Sequence, residues 1–140
     1  MPPFLAVLLI LAFGAILAME SPNFINGFRS YFWKETRGEI IYSSIKKTKG
    51  SEKTYRSADI RYYYTVGKDS YENNTVNFIS LFLNPYDKNS GKVRENPVGK
   101  KVSVYYDPED PKSSVLYRGL MISNVISVLI DVLVILMAVT

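Results

Sequence analysis

The sequence predicts a membrane protein in which two transmembrane α-helices flank a small all-β domain, an antiparallel barrel or sandwich of the OB- or SH3-like kind. Three observations carry that expectation. The ends are oily: residues 1–19 hold no charged side chain and residues 120–140 hold only Asp131, while all 17 Lys and Arg fall between Arg29 and Arg118. Residues 60–66 and 102–106 alternate apolar and polar side chains, the period of a strand with one buried face. Gly67-Lys68-Asp69, Asn84-Pro85 and Asp107-Pro108 punctuate these runs with turn chemistry, and closing a small sheet on itself removes exposed edges.

At 140 residues there is room for one soluble domain at most. All but one of the 13 acidic residues share the middle region with the 17 basic ones, so that region is net positive. The chain has neither Cys nor His. This excludes disulfides, thiolate or imidazole metal sites, Cys–His nucleophiles and any mechanism with a histidine base. It does not fix the compartment, since a disulfide-free domain can sit on either side of a membrane.

Residues 4–19 form a continuous apolar run, read as the first transmembrane helix. With Pro2 and Pro3 it is about 27 Å long at 1.5 Å per residue, against a hydrocarbon core of about 30 Å. A cleaved signal peptide is the rival reading, but the run is long for one and no Lys or Arg precedes it. Gly14 and Ala18 have the small-xxx-small spacing that lets helices approach closely, set against plain apolar filler.

Residues 20–37 are an aromatic juxtamembrane segment. Phe24, Phe28 and Tyr31 share a helical face, and Phe32 and Trp33 follow. Residues 23–36 are expected as a short amphipathic helix on the bilayer surface, where Tyr and Trp are favoured. The alternative packs these rings against the soluble domain.

The β domain is expected over residues 38–118. Residues 40–45 are the first strand candidate, followed by Lys46-Lys47-Thr48-Lys49-Gly50, with Lys53 and Arg56 nearby. Such a run suits anionic lipid or nucleic acid, but without a nucleic-acid module it reads better as a solvated hairpin loop. Residues 60–66 are expected as a strand, and residues 71–78 return as its hairpin partner. Asn73-Asn74-Thr75 is a glycosylation sequon by pattern. Residues 78–83 are expected to be buried in the domain, the rival being an exposed apolar patch. Residues 87–96 read as polar loop. After the strand at 102–106, Asp107-Pro108 and Asp110-Pro111 are expected to make two consecutive turns, before residues 113–117 resume an extended run.

Residues 120–140 supply the second span, about 31 Å as a helix. Asp131 costs about 2.5–3.5 kcal/mol near a helix centre, and thirteen Leu, Ile and Val return roughly 4–8 kcal/mol. The segment is therefore expected to insert. Asn124, Ser127 and Asp131 make one polar seam, which should face another helix, within the chain or in a partner, rather than lipid. Proton or ion handling is the less ordinary reading.

Taken together, Trp33, Thr36, Gly38, Tyr62-x-Tyr64-x-Val66-Gly67 and Tyr71 set up a longer block. That block is Pro97-Val98-Gly99-Lys100-x-Val102-x-Val104-x-Tyr106-Asp107-Pro108, then Pro111 and Val115-Leu116. This order resembles the domain-of-unknown-function family three-five-nine-two over about residues 33–119. The sequence departs from it at Asn96, where a Tyr often precedes Pro-Val-Gly, and in the middle segment, residues 78–95. The resemblance implies a β domain beside one or two spans, with the motif positions structural, and implies no activity.

The expected function is therefore non-enzymatic: an integral membrane protein whose β domain and polar-seamed second helix serve as an interaction or assembly module, an accessory subunit of a membrane complex. Its partners would be the bilayer, a membrane protein (other subunits or itself) and, as a further candidate, anionic lipid, with no nucleic acid and no cofactor. One alternative is a lipid- or small-ligand-binding β domain anchored by two helices. The other is a membrane-bound enzyme, with Asp107, Glu109 and Asp110 holding Ca²⁺ or Mg²⁺. Against it, the same residues describe turns, and no G-x-S-x-G nucleophile signature is present. Arg29, Lys34, Arg37, Lys112 and Arg118 flank the spans on the domain side, which leans the domain towards the cytoplasm, though a loop of about 100 residues outruns the positive-inside rule.

Overall fold

The computed structural model describes residues 1–78 and 87–140, apart from the side chain of Ser123. Helix α1 (Pro3–Arg29) opens with Pro3 in its first turn, where a missing N–H is no loss. Pro22 lies inside it and cannot donate to the carbonyl of Ala18. The hydroxyl of Ser21 donates to that carbonyl instead, at 3.1 Å. The helix therefore continues, tightening into a 3-10 turn at Ser30–Phe32. This corrects the expected interfacial helix over 23–36: residues 20–29 are the end of α1, and strand β1 (Lys34–Lys49) begins four residues before the expected start of the β domain. Among the described residues, Pro3–Phe32 is the one helix long and apolar enough to cross a membrane.

The remaining strands are β2 (Thr54–Val66), β3 (Asp69–Asn73), β4 (Asp87–Lys88), β5 (Lys101–Asp107) and β6 (Asp110–Val115). A one-turn helix α2 (Lys92–Glu95) precedes β5, so residues 87–96 are not simply loop. The sheet runs β3-β2-β1-β5-β6, antiparallel throughout, with β4 added to β2 in parallel. It is an open sheet and not the expected barrel. Its end strands approach one another but share no backbone ladder. The side-chain amide of Asn73 takes the ladder's place, donating to the Lys112 and Ser114 carbonyls at 3.3 Å each and to Ser114 Oγ at 2.9 Å.

Ile60, Tyr62 and Tyr64 point inward on β2 and form the core with Ile40, Val76, Val104 and Leu116. Burying two tyrosines requires partners for their hydroxyls. Tyr62 donates to the Thr75 carbonyl at 2.8 Å and meets Ser114 Oγ at 3.0 Å, while Tyr64 donates to the Pro111 carbonyl at 2.6 Å. Gly38, where β1 lies between β2 and β5, has no room for a side chain. A Cβ there would sit 2.5 Å from the Tyr63 carbonyl oxygen and 2.7 Å from Val104 Cγ2. Three residues further on, Ile41 is an extra residue in β1 between the pairs Ile40–Tyr62 and Tyr42–Arg61.

Only the first of the two expected Asp-Pro turns exists. Pro108 and Glu109 link the paired residues Asp107 and Asp110, and Asp107 Oδ1 accepts the Glu109 N–H at 2.9 Å. Pro111 continues into β6, an edge strand, where its missing donor is tolerated. Of residues 78–83, Phe78 packs edge-on to Trp33 with centroids 5.7 Å apart; the rest lie outside the described residues.

Helix α3 (Ile122–Val139) starts two residues later than expected and is shorter than α1, about 27 Å at 1.5 Å per residue. Asn124 caps it by accepting the Met121 N–H at 3.1 Å. It packs along α1. Gly27 lies against Gly119 and Leu120, and Glu20 lies within electrostatic reach of Asp131, so the two helices run antiparallel.

Candidate functional site

Three places on the molecule bring polar or exposed apolar side chains together as candidate sites. The first is the junction where α1 meets the sheet. The Ser30 hydroxyl donates to the Gly27 carbonyl at 2.6 Å and accepts the Gly119 N–H at 2.7 Å. The Tyr31 hydroxyl accepts the Leu120 N–H at 3.2 Å. Beside this knot opens a cleft of about 650 Å³, lined among others by Asn26, Arg29, Trp33, Asp107, Asp110 and Lys112. Arg29 Nη2 pairs with Asp107 Oδ2 at 3.2 Å, with Arg29 half exposed and Asp107 nearly buried. Because Arg29 is half in water, the pair contributes at most about 1 kcal/mol.

The cleft does not assemble a cation cage from Asp107, Glu109 and Asp110. Asp107 is committed to Arg29 and to the turn, and Asp110 accepts from Ser113 Oγ at 2.9 Å. Among the described residues no three acidic side chains stand together as metal ligands. The sequon is likewise occupied by structure, since the Asn73 amide that a glycan would need holds β6.

The second place is the seam between α1 and α3. Asn124, Ser127 and Asp131 are 1%, 0% and 0% exposed, and Glu20 on α1 is 4% exposed. The sequence places Glu20 at the start of the juxtamembrane segment and does not mark it as a seam residue. Gly14 and Ala18 take no part in this packing. A Cβ on Gly14 meets nothing within 4 Å, and Ala18 is exposed.

The third place is a projecting ribbon. β5 pairs with β1 only along residues 34–39, after which the bulge at Ile41 intervenes and residues 42–49 pair with β2 alone on their way to the basic tip. Ile41, Tyr42, Ile45 and Tyr55 are exposed along it. Arg61 lies over the Tyr42 ring at 4.7 Å and forks onto Asp59 at 3.0 and 3.2 Å, and that carboxylate raises the guanidinium's already high proton affinity.

Of the aromatic residues expected at a membrane interface, Phe28, Tyr31 and Phe32 are exposed and Phe24 is partly covered, whereas Trp33 is buried against the domain. Trp33 is therefore a domain residue, because the chain enters β1 immediately after it. Tyr62, Tyr64 and Val104 are core, and Tyr106 packs partly buried beside them. Gly67 and Gly99 stand in the turns before β3 and β5. In the second of these, Lys100 N–H reaches the Pro97 carbonyl at 3.1 Å, Gly99 N–H donates to the Ile40 carbonyl at 2.8 Å and Ile40 N–H to the Lys100 carbonyl at 3.0 Å. The Pro-Val-Gly-Lys block is thus a turn clamped onto β1 next to its bulge.

The family model for a domain of unknown function, DUF3592, matches residues 36–121, more than half of the chain. The chain belongs to that family. The DUF3592 match begins in β1 and stops at the approach to α3, so it takes in the sheet, the clamped turn and Gly119 while leaving α1 and the seam of α3 outside. No curated protein matches the chain. Asn96, the DUF3592 domain's departure before Pro-Val-Gly, is buried and donates to the Lys92 carbonyl at 2.9 Å and to the Tyr117 hydroxyl at 3.0 Å. It joins α2 to the last strand region.

Proposed function

We propose that this protein is a non-enzymatic membrane protein, an accessory subunit whose β domain presents the β1–β2 ribbon to a protein partner. In this reading α1 and α3 cross the bilayer together as an antiparallel pair, and the ribbon reaches away from them. The observation that carries it is the distal half of β1. Beyond β4, which pairs with β2 at Arg56 and Ser57, the ribbon is two-stranded and marginal by itself, and a strand edge with exposed tyrosines and isoleucines is a template for another chain. The lysines at its tip are of the kind that discourages indiscriminate edge pairing. At about 3.3 Å per residue, β1 carries that tip up to roughly 50 Å of strand from α1, which favours a partner's surface over joint binding of one bilayer by the tip and the aromatic end of α1. The test is photo-crosslinking from position 42 or 55 in native membranes, followed by gentle-detergent purification and mass spectrometry. A stoichiometric membrane protein crosslinked there is the expected result; an uncrosslinked, partner-free monomer would overturn the proposal.

The cleft supports a second reading, a lipid headgroup or other small polar ligand held where α1 meets the sheet. Arg29 from α1, with Lys112 and Asp110 from β6, brings both signs of charge to the cleft and suits a zwitterion. Lipid retained by the purified protein and lost in Lys112→Ala would favour this reading; the same lipid content in both proteins would remove it.

A further inference from the structure

The α1–α3 seam holds two carboxylates and no cation. Residues 1–28 contain Glu20 as their only charged side chain, and residues 119–140 contain only Asp131. Arg29, the nearest basic residue in the chain, lies nine residues from Glu20, about 14 Å along the helix, and is paired with Asp107. Asp131 is fully buried, and neither of its oxygens has a hydrogen-bond partner among the described residues. Ser127, one turn earlier on the same face, is also fully buried with its hydroxyl unpartnered among the described residues. Asn124 is further along the seam and its Oδ1 is engaged in capping.

A buried carboxylate without donors or a counter-charge is too costly to persist, whether the surroundings are lipid or packed protein. Protein cations are absent from the seam by sequence, so compensation has to come from solution. We propose that Asp131 and Ser127, faced by Glu20 across the helix pair, form a buried site for a small monovalent cation, a sodium ion or a proton. Asp131 supplies two oxygens, Ser127 a hydroxyl lone pair, and Glu20 is a second carboxyl group within electrostatic reach. Divalent ions fit poorly, because a doubly charged ion costs far more to strip of water than a monovalent one, and three side-chain oxygens do not replace its shell. Among the described residues the only charged side chain that α1 brings to Asp131 is Glu20, and α3 brings no other.

The test is thermal unfolding of the full-length protein in mild detergent. It compares sodium, calcium and magnesium chloride with N-methylglucamine chloride at matched ionic strength, from pH 5 to pH 8, for wild type, Asp131→Asn, Glu20→Gln and Ser127→Ala. If sodium is the occupant, it raises the wild-type Tm by several degrees over N-methylglucamine at neutral pH, and Ser127→Ala weakens the rise. If the proton is the occupant, acid raises the wild-type Tm relative to Asp131→Asn, whichever salt is present. In either case Asp131→Asn abolishes the response and Glu20→Gln reduces it. Should Asp131→Asn not fold, Glu20→Gln and Ser127→Ala carry the comparison. A wild-type Tm indifferent to both sodium and pH, a response unchanged in Asp131→Asn, or stabilisation by Ca²⁺ or Mg²⁺ alone would each overturn the proposal.

Discussion

The hydroxyl of Ser30 and the backbone N–H of Gly119 meet at 2.7 Å across 89 residues of sequence, fastening the end of α1 to the start of the α3 segment. Gly119 can take this place because its φ is +96°, a conformation glycine adopts without strain. A Cβ there would also lie 2.6 Å from the Tyr31 ring. Gly119→Ala should therefore lower stability by about 1–3 kcal/mol, from the backbone conformation alone. Ser30→Ala leaves a buried N–H unpaired and should cost about 1–3 kcal/mol. Both are read as a fall in Tm of the detergent-purified protein.

Gly38→Ala should be worse than an ordinary surface change, since its Cβ has backbone oxygen at 2.5 Å and Val104 Cγ2 at 2.7 Å. The strands must part to admit it, at a cost of about 1–3 kcal/mol or more. Gly14→Ala is the matched control. Its Cβ meets nothing within 4 Å, and replacing a mid-helix glycine should stabilise by about 0.5–1 kcal/mol. Thermal unfolding of the two variants should move in opposite directions.

Asn73→Ala removes the side chain that stands in for a ladder between β3 and β6. The Lys112 and Ser114 carbonyls lose a donor, and the expected loss is about 1–3 kcal/mol. Hydrogen exchange should quicken first in β6 and β3, with β1–β2 amides protected as before. Uniform acceleration across the sheet would contradict a local stitch.

Two carboxylates outside α1 and α3 predict acid sensitivity. Asp87 is held below the ordinary Asp range by the Ser90 hydroxyl and backbone N–H, at 2.7 and 3.0 Å. Glu95 is held down by Lys92 and the Tyr117 hydroxyl, both at 3.2 Å. A depressed carboxylate stabilises the fold at pH above its unfolded value, about 3.9 for Asp and 4.3 for Glu, and that contribution is lost as pH falls through the lower folded value. Stability should thus decline below about pH 4, and Ser90→Ala should show a shallower decline between pH 4 and pH 2 than wild type. Equal acid slopes in the two proteins would contradict this.

The parts of this fold that were legible in the sequence are those written in local periodicity. Ile60, Tyr62 and Tyr64 announce one buried face because strand side chains alternate, and Asn124, Ser127 and Asp131 announce one helix face by spacing. What lies opposite a face is not local. Glu20 joins the seam only because α1 and α3 are antiparallel, and nothing near residue 20 states that. The continuation of α1 past Pro22 depends on one hydroxyl, Ser21, restoring the bond that proline deletes. The sheet stays open because an Asn side chain, and not a further pair of strands, joins its ends. The ribbon was hidden for a similar reason: a single inserted residue, Ile41, separates the part of β1 that β5 covers from the part it leaves bare.

The Ser30–Gly119 bond has a mechanical consequence. A domain hung from one helix can swivel about that helix's axis and sample every azimuth over the membrane plane. Here both strands of the attachment are gripped at the same point, by Ser30 on Gly119 and by Tyr31 on Leu120. A two-point hinge has no swivel. The cleft and the ribbon therefore keep a fixed heading relative to the helix pair, and whatever meets one of them finds the other always in the same direction.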